Sequence, residues 1–276
     1  MIDQQPSATA LIAAPPDQMQ RHVVRPDPWE SLRQHTSARI ALGRVGASLP
    51  TAEVLRLGLA HAQARDAVHT PLDLAALAAQ LQADGLSSLQ VRSQAAHRQS
   101  YLLRPDLGRR LHVDDAALLS AQPRATELVI VVADGLSSEA VRLHAQPLLA
   151  QFRACWATDL QSNPVILAAQ GRVAIGDEVG SLLGARLVVL LIGERPGLSS
   201  PASLGIYITY APQIGRMDSE RNCISNVRPK GLPYDQAAHK LAWLCRAALQ
   251  GGVTGVGLKD DSPALEHTSP ERLHLD

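Results

Sequence analysis

Two features of the sequence predict an α/β protein built on a mostly parallel sheet and preceded by an α-rich N-terminal region. From about Glu127 the text repeats strand, turn and helix, and three of its strands are unbroken apolar runs: ELVIVVA, PVILAA and ARLVVLLIG. Strands of a parallel sheet covered on both faces read this way, whereas half-exposed strands alternate. Upstream of that point helical spacing dominates. The expected organisation is a loose tail at 1–27, an α-rich domain at 28–119, a Rossmann-like domain at 120–258 and a second loose tail at 259–276.

Each element has a local reason. WESLRQHTSARIAL reads as a helix, GRVGASLP as a loop, and TAEVLRLGLAHAQARDAV as a second helix. Thr51 is placed to cap this second helix, and Val54, Leu55, Leu57 and Leu59 recur near helical spacing. PLDLAALAAQLQADGL is an amphipathic helix ended by Gly85, and SLQVRSQAAHRQSYLLRPDLGRRL alternates as a short extended pair. Beyond ELVIVVA come a turn at Asp134 and Gly135, a cap at Ser137 or Ser138, and a helix that Pro147 kinks or divides. PVILAAQGRVAIGDEVGSLLGA supplies the next strand and helix. LVVLLIG and GIYITYAP are two further strands, and PYDQAAHKLAWLCRAALQGG is a last helix closed by glycines.

Composition narrows the function classes. The 276 residues, 46% hydrophobic, suffice for a substantial core. Lys plus Arg equals Asp plus Glu at 26 each, so no bulk field draws the chain to nucleic acid or to an acidic membrane surface. Cys155, Cys223 and Cys245 stand far apart without a CxxC pair, which fits a reducing compartment and argues against a zinc site. There is no basic leader followed by an apolar core, and no run of about 18 apolar residues. The expectation is a cytoplasmic protein.

Familiar catalytic motifs fail on their own residues. Asp-Gly-Leu-Ser-Ser stands after the first long strand in place of GxGxxG, and GxxxxGK[ST], GxSxG and HExxH are all missing. No catalytic residue and no metal ligand is therefore assigned. One segment still asks for a ligand: LVVLLIGERPGLSS ends a buried strand on Glu194, where open α/β sheets bind their ligands.

The segments GRVAIGDEVGSLLGARLVVLLIGERPGL and SERNCISNVRPKGLP, with RPDLGRRL and ADGLSSEAV upstream, resemble the small subunit of ethanolamine ammonia-lyase. The resemblance runs in order from about Leu32 to Gly257, and GERPGL and CISN are its most specific parts. It implies a heteromeric, adenosylcobalamin-dependent lyase converting ethanolamine to acetaldehyde and ammonia. In that family a TIM-barrel large subunit holds substrate while the small subunit covers the cobalamin from the other side. The cofactor's carbon–cobalt bond supplies the radical, and the protein's part is binding, orientation and exclusion of side reactions. Some members are enclosed in a bacterial microcompartment, but this N-terminus lacks a clear amphipathic addressing helix.

Carried over by position, the implied cobalamin contacts are Val173 in GRV, Glu194 in GERPG and Cys223 in NCISN. Glu194 would accept hydrogen bonds from the primary amides of the corrin rim, Val173 would offer backbone and a small apolar face, and Cys223 a small polarisable surface. The DxHxxG motif that supplies a histidine to cobalt is absent, so the cofactor is expected to keep its own dimethylbenzimidazole as lower ligand.

Plainer readings stand beside these. Cys223 could be a small buried hydrophobe, and Glu194 could pair with Arg195 or Arg172. Asp134 and Ser137 read as an ordinary turn and cap. Arg104, Arg109 and Arg110 cluster like an anion clamp, with an interface to the large subunit as the favoured role. Two other functions remain as alternatives: an independent α/β enzyme acting on a nucleotide or sugar, and a purely structural subunit.

Overall fold

The structure, a computed structural model, describes residues 23–124, 127–156, 160 and 163–263. The tails expected at 1–27 and 259–276 lie outside the described residues except for 23–27 and 259–263, and so does any N-terminal addressing helix. The chain divides between Ala62 and Gln63 into two compact units.

In the first unit the expected helix over WESLRQHTSARIAL is not formed. Only a 3-10 turn at Glu30–Gln34 appears, with no buried residue. Short helices draw their stability from a packed apolar face, and here Trp29 is 67% and Leu32 41% exposed. The polar HTS segment also makes its own turn, the Thr36 hydroxyl accepting from Ala38 N–H at 3.1 Å. Helix α1, Thr51–His69, has Thr51 as its first residue rather than its cap: Val54 N–H donates to Pro50 O at 3.2 Å, which puts Pro50 at the cap position.

The second unit contains α2 (Leu74–Ala83), β1 (Ser88–Arg92), α3 (Arg98–Leu103), α4 (Val113–Ser120), β2 (Leu128–Ala133), α5 (Ser138–Cys155), β3 (Val165–Ala169), α6 (Ile175–Leu183), β4 (Leu187–Gly193), β5 (Leu204–Tyr210), β6 (Asn222–Val227) and α7 (Tyr234–Gly251). The strands form one six-stranded sheet in the order β1-β3-β2-β4-β5-β6. The first three pairings are parallel, while β5 runs antiparallel to both neighbours. The fold is therefore α/β with a mixed, mostly parallel sheet. Strand β1, from the stretch expected to be α-rich, pairs with β3 in this sheet.

Burial explains the apolar runs. Leu128, Ile130 and Val132 of β2 and Leu187, Val189 and Leu191 of β4 enter one core layer with α2, α5 and α7. The intervening Val129, Val131, Val188, Leu190 and Ile192 enter a second layer with α4 and α6. Both faces are dry, so neither strand alternates. At β5 and β6 only the first layer continues, through Leu204, Ile206, Ile208, Ile224 and Val227. On their other face Tyr207 is half-buried and Cys223 and Ser225 are exposed.

Two local expectations are corrected. Within the presumed extended pair only β1 is a strand; the segment after it is α3, started by His97, whose Nδ1 accepts from Ser100 N–H at 3.2 Å. Helix α5 is not divided at Pro147 but continues past it from Ser138 to Cys155. The carbonyl that this proline leaves without a helical donor belongs to Leu143, a residue that is 40% exposed. The closing glycine of α7 is as expected, with Gly252 at φ +68°. No helix among the described residues is long and apolar enough to cross a membrane.

Candidate cofactor site

The parallel strands β2, β3 and β4 end at one edge of the sheet, and their exit loops are tied together there. Asp134, after β2, is buried and accepts Gln170 N–H and Gly171 N–H from the loop after β3, each at 3.0 Å. Burial pushes its carboxyl up to about 6, against the opposing pull of Arg98 and the backbone donors. Ser137 caps α5 by accepting from Ala140 N–H at 3.3 Å, and its hydroxyl donates to Pro201 O at 3.0 Å. The turn-and-cap reading of both residues matches this geometry. Close beside them the guanidinium groups of Arg98 and Arg172 lie 4.7 and 4.2 Å from the centre of the buried Tyr101 ring.

Glu194 follows β4 directly and turns its carboxylate back over the sheet. The Ser203 hydroxyl donates to its Oε2 at 2.6 Å and Asn226 N–H donates to its Oε1 at 3.1 Å. These partners replace the expected pairing with Arg195 or Arg172. Asn226 closes the CISN segment in the left-handed region, at φ +59°, a conformation that asparagine tolerates better than most residues. The side chain of Glu194 also lies against Gly205: a Cβ at that position would stand 3.3 Å from its Cγ and its Oε1.

Cys223 lies on β6 opposite Tyr207 of β5, on the face that the second core layer leaves uncovered. The residue is exposed, yet surrounding protein at the sulfur pushes its thiol up, with hydrogen bonding to Tyr207 and Ser225 pulling the other way. Burial likewise pushes the Tyr207 phenol up to about 12, helped by Cys223 and Glu194, so it stays protonated at neutral pH. The structure thus gathers Glu194 and Cys223 around Tyr207, a residue that sequence reasoning passed over inside GIYITYAP.

Val173 occupies the turn before α6, its carbonyl accepting from Gly176 N–H at 3.2 Å. It packs, half-buried, on the same apolar layer as Tyr207. The arginines of RPDLGRR do not converge as a clamp. Arg104 pairs with Asp106 at 2.6 Å, Arg110 with Glu178 at 3.0 Å, and Arg109 stands near the carboxylate of Asp177. Sequence reasoning also missed the buried pair of Asp177 on α6 and Arg221 before β6, with Nη2 2.7 Å from Oδ2.

A mixed, mostly parallel sheet flanked by helices, with a fixed carboxylate, a thiol and a protonated phenol at its exit, defines a protein of the α/β class. Comparison with known proteins names the family. The model of the ethanolamine ammonia-lyase light chain family (EutC) matches residues 26–259. The ethanolamine ammonia-lyase small subunit of Pseudomonas fluorescens (strain Pf-5) is 54% identical over 263 residues, covering 93% of this chain and 96% of that protein. Those of Pseudomonas putida (strain GB-1) and Ralstonia nicotianae are each 55% identical over 250 residues, covering 88% of this chain and 92% and 93% of theirs. The chain belongs to the ethanolamine ammonia-lyase small-subunit family.

Proposed function

We propose that this chain serves as the small subunit of an ethanolamine ammonia-lyase and holds adenosylcobalamin through Val173, Glu194 and Cys223 where it meets its large partner. Membership of the family supports the subunit role in a heteromeric carbon–nitrogen lyase. The observation that carries the cofactor reading is the Glu194 carboxylate, held at the β4 exit by Ser203 and Asn226. A carboxylate has about four lone-pair sites, and those two bonds leave acceptor capacity for amide N–H groups of a corrin rim. When bound, adenosylcobalamin supplies the radical that starts the reaction. The residues of this chain bind and orient it: Glu194 as acceptor, Cys223 as a small surface on the open face, and Val173 through its turn and apolar side chain.

The finer features of the fold belong to the same proposal. Parallel strands in the order β3-β2-β4, followed by helices in opposite core layers, support a Rossmann-like reading of the sheet. The family's partner is a TIM barrel, and the exposed Arg104 and Arg109 fit the face turned to it. The setting is cytoplasmic, enclosed in a microcompartment in some members.

Reconstitution tests the reading. The isolated chain is expected to be inactive, with ethanolamine deamination appearing on mixing it with its large partner and adenosylcobalamin. Turnover by the isolated chain would return it to the independent-enzyme class. Glu194→Ala should weaken cobalamin binding by the reconstituted complex about 5- to 150-fold, equivalent to ~1–3 kcal/mol for amide donors left unpaired. Glu194→Gln should lose less, since its oxygen can accept from Asn226 N–H while its amide donates to the Ser203 hydroxyl. A spectral titration of the cofactor, with thermal melting as control, separates these outcomes. Unchanged affinity in a normally assembled Glu194→Ala complex favours a purely structural subunit.

A further inference from the structure

We propose that Tyr207 is a further cobalamin-contacting residue of this chain, its ring forming the floor between Glu194, Cys223 and the Val173 turn; the inference rests on the cofactor reading above. Three independent placements converge on it. It is the cross-strand partner of Cys223. A Cβ on Gly205 would stand 3.3 Å from Glu194 Cγ and 3.4 Å from Tyr207 Cε2, so these side chains flank one another with only a glycine beneath. Its ring rests on the same apolar layer as Val173.

The surrounding surface explains what the ring offers. Helix α7 covers one face of β5 and β6 with Leu241, Ala242 and Leu244, but no residue of either strand is among the buried members of the opposite layer. Tyr207 is therefore a large half-buried ring with its open side among exposed Cys223 and Ser225. An aromatic ring beside polar groups suits a ligand that is itself mixed, with apolar ring edges and methyl groups next to amides. The phenol remains protonated, and the ring is flanked by its cross-strand partner Cys223 and by the Glu194 side chain over Gly205, so it meets the ligand already placed. Glycine at 205 keeps the floor continuous from carboxylate to ring.

The test uses the complex with the large partner and cyanocobalamin as the probe, since its cobalt–cyanide bond is stable. Tyr207→Ala is expected to weaken binding about 5- to 20-fold and Tyr207→Phe, which keeps the ring, less than about 3-fold. A second readout uses the thiols. Cyanocobalamin should slow maleimide labelling of Cys223 while the exposed Cys155 reacts at an unchanged rate. If Tyr207→Ala fails to assemble, Tyr207→Leu replaces it and is expected to show the same loss. Wild-type affinity in the alanine or leucine variant, with Glu194→Ala weakened, overturns the role of Tyr207 and leaves the cofactor reading standing. Wild-type affinity in both, with Cys223 labelled equally with and without cobalamin, overturns the two together.

Discussion

Arg221→Met is expected to destabilise the protein by about 3–5 kcal/mol, because it strands a buried carboxylate. The side chains of Arg221 and Asp177 are 1% and 2% exposed. The guanidinium spans both carboxylate oxygens and also donates to Thr209 Oγ1 at 3.1 Å and Arg216 O at 2.8 Å. Together these bonds pin α6, the end of β5 and the entry to β6. Methionine fills much of the volume but supplies no donor, so Asp177 must remain charged without a partner or take up a proton. Denaturant midpoints of the purified chain measure the loss. Asp177→Leu combined with Arg221→Met should recover most of it, since replacing both ends of a buried pair by apolar groups is far cheaper than removing one.

The same variant has a defined pH signature. Burial already pushes the Asp177 carboxyl above its ordinary value in the native protein, and loss of Arg221 pushes it further. A folded-state pKa above the unfolded one means that the native state binds more protons in the window between them. That contribution to stability is fully present below the ordinary carboxylate range, near about 3.9, and is lost as pH rises through the raised value. The deficit of Arg221→Met should therefore shrink as pH falls. A deficit independent of pH would make it a packing defect.

Gly193→Ala is the second severe change, expected to cost more than about 4 kcal/mol and to abolish soluble expression. An added Cβ would lie 2.0 Å from Ser137 O and 2.7 Å from Asp134 O. Both are backbone atoms, so no side chain can swing aside. The strand exit or the β2–α5 turn must move, breaking the bond from Leu136 N–H to Gly193 O at 3.0 Å. Gly135 faces the same contact from the other side, at φ +59°, where any residue with a Cβ is also strained. Gly205→Ala is the control. Its nearest neighbours are the movable side chains of Glu194 and Tyr207, and it should fold while shifting the carboxylate. Soluble yield and denaturant midpoints of the two variants check the contrast.

The elements that were legible share one property: their local sequence alone settles their burial. β2 and β4 were read from continuous apolar runs because both of their faces are covered. β6 is not legible as a strand, because NCISNV buries only Ile224 and Val227 in a half-open sheet and carries Asn at both flanks of its core. The direction of β5 was equally invisible, since alternation does not report whether a neighbour runs parallel or antiparallel. The absent helix at WESLRQHTSARIAL shows the converse: helical spacing with nothing to pack against gave one 3-10 turn.

The site divides along the same line. From the sequence by itself came the α/β class, the family resemblance and the position of Glu194, because a charged residue ending a fully apolar strand must emerge at the carboxyl edge of the sheet. Only the tertiary structure decided what holds that carboxylate, Ser203 and Asn226 N–H, and that Tyr207 stands opposite Cys223 on the neighbouring strand. It alone paired Asp177 with Arg221, 44 residues apart. The physical reason is that periodicity records whether a residue is buried, whereas its partner is chosen by strand order, register and the few ångströms that a buried polar group can span before it goes unpaired.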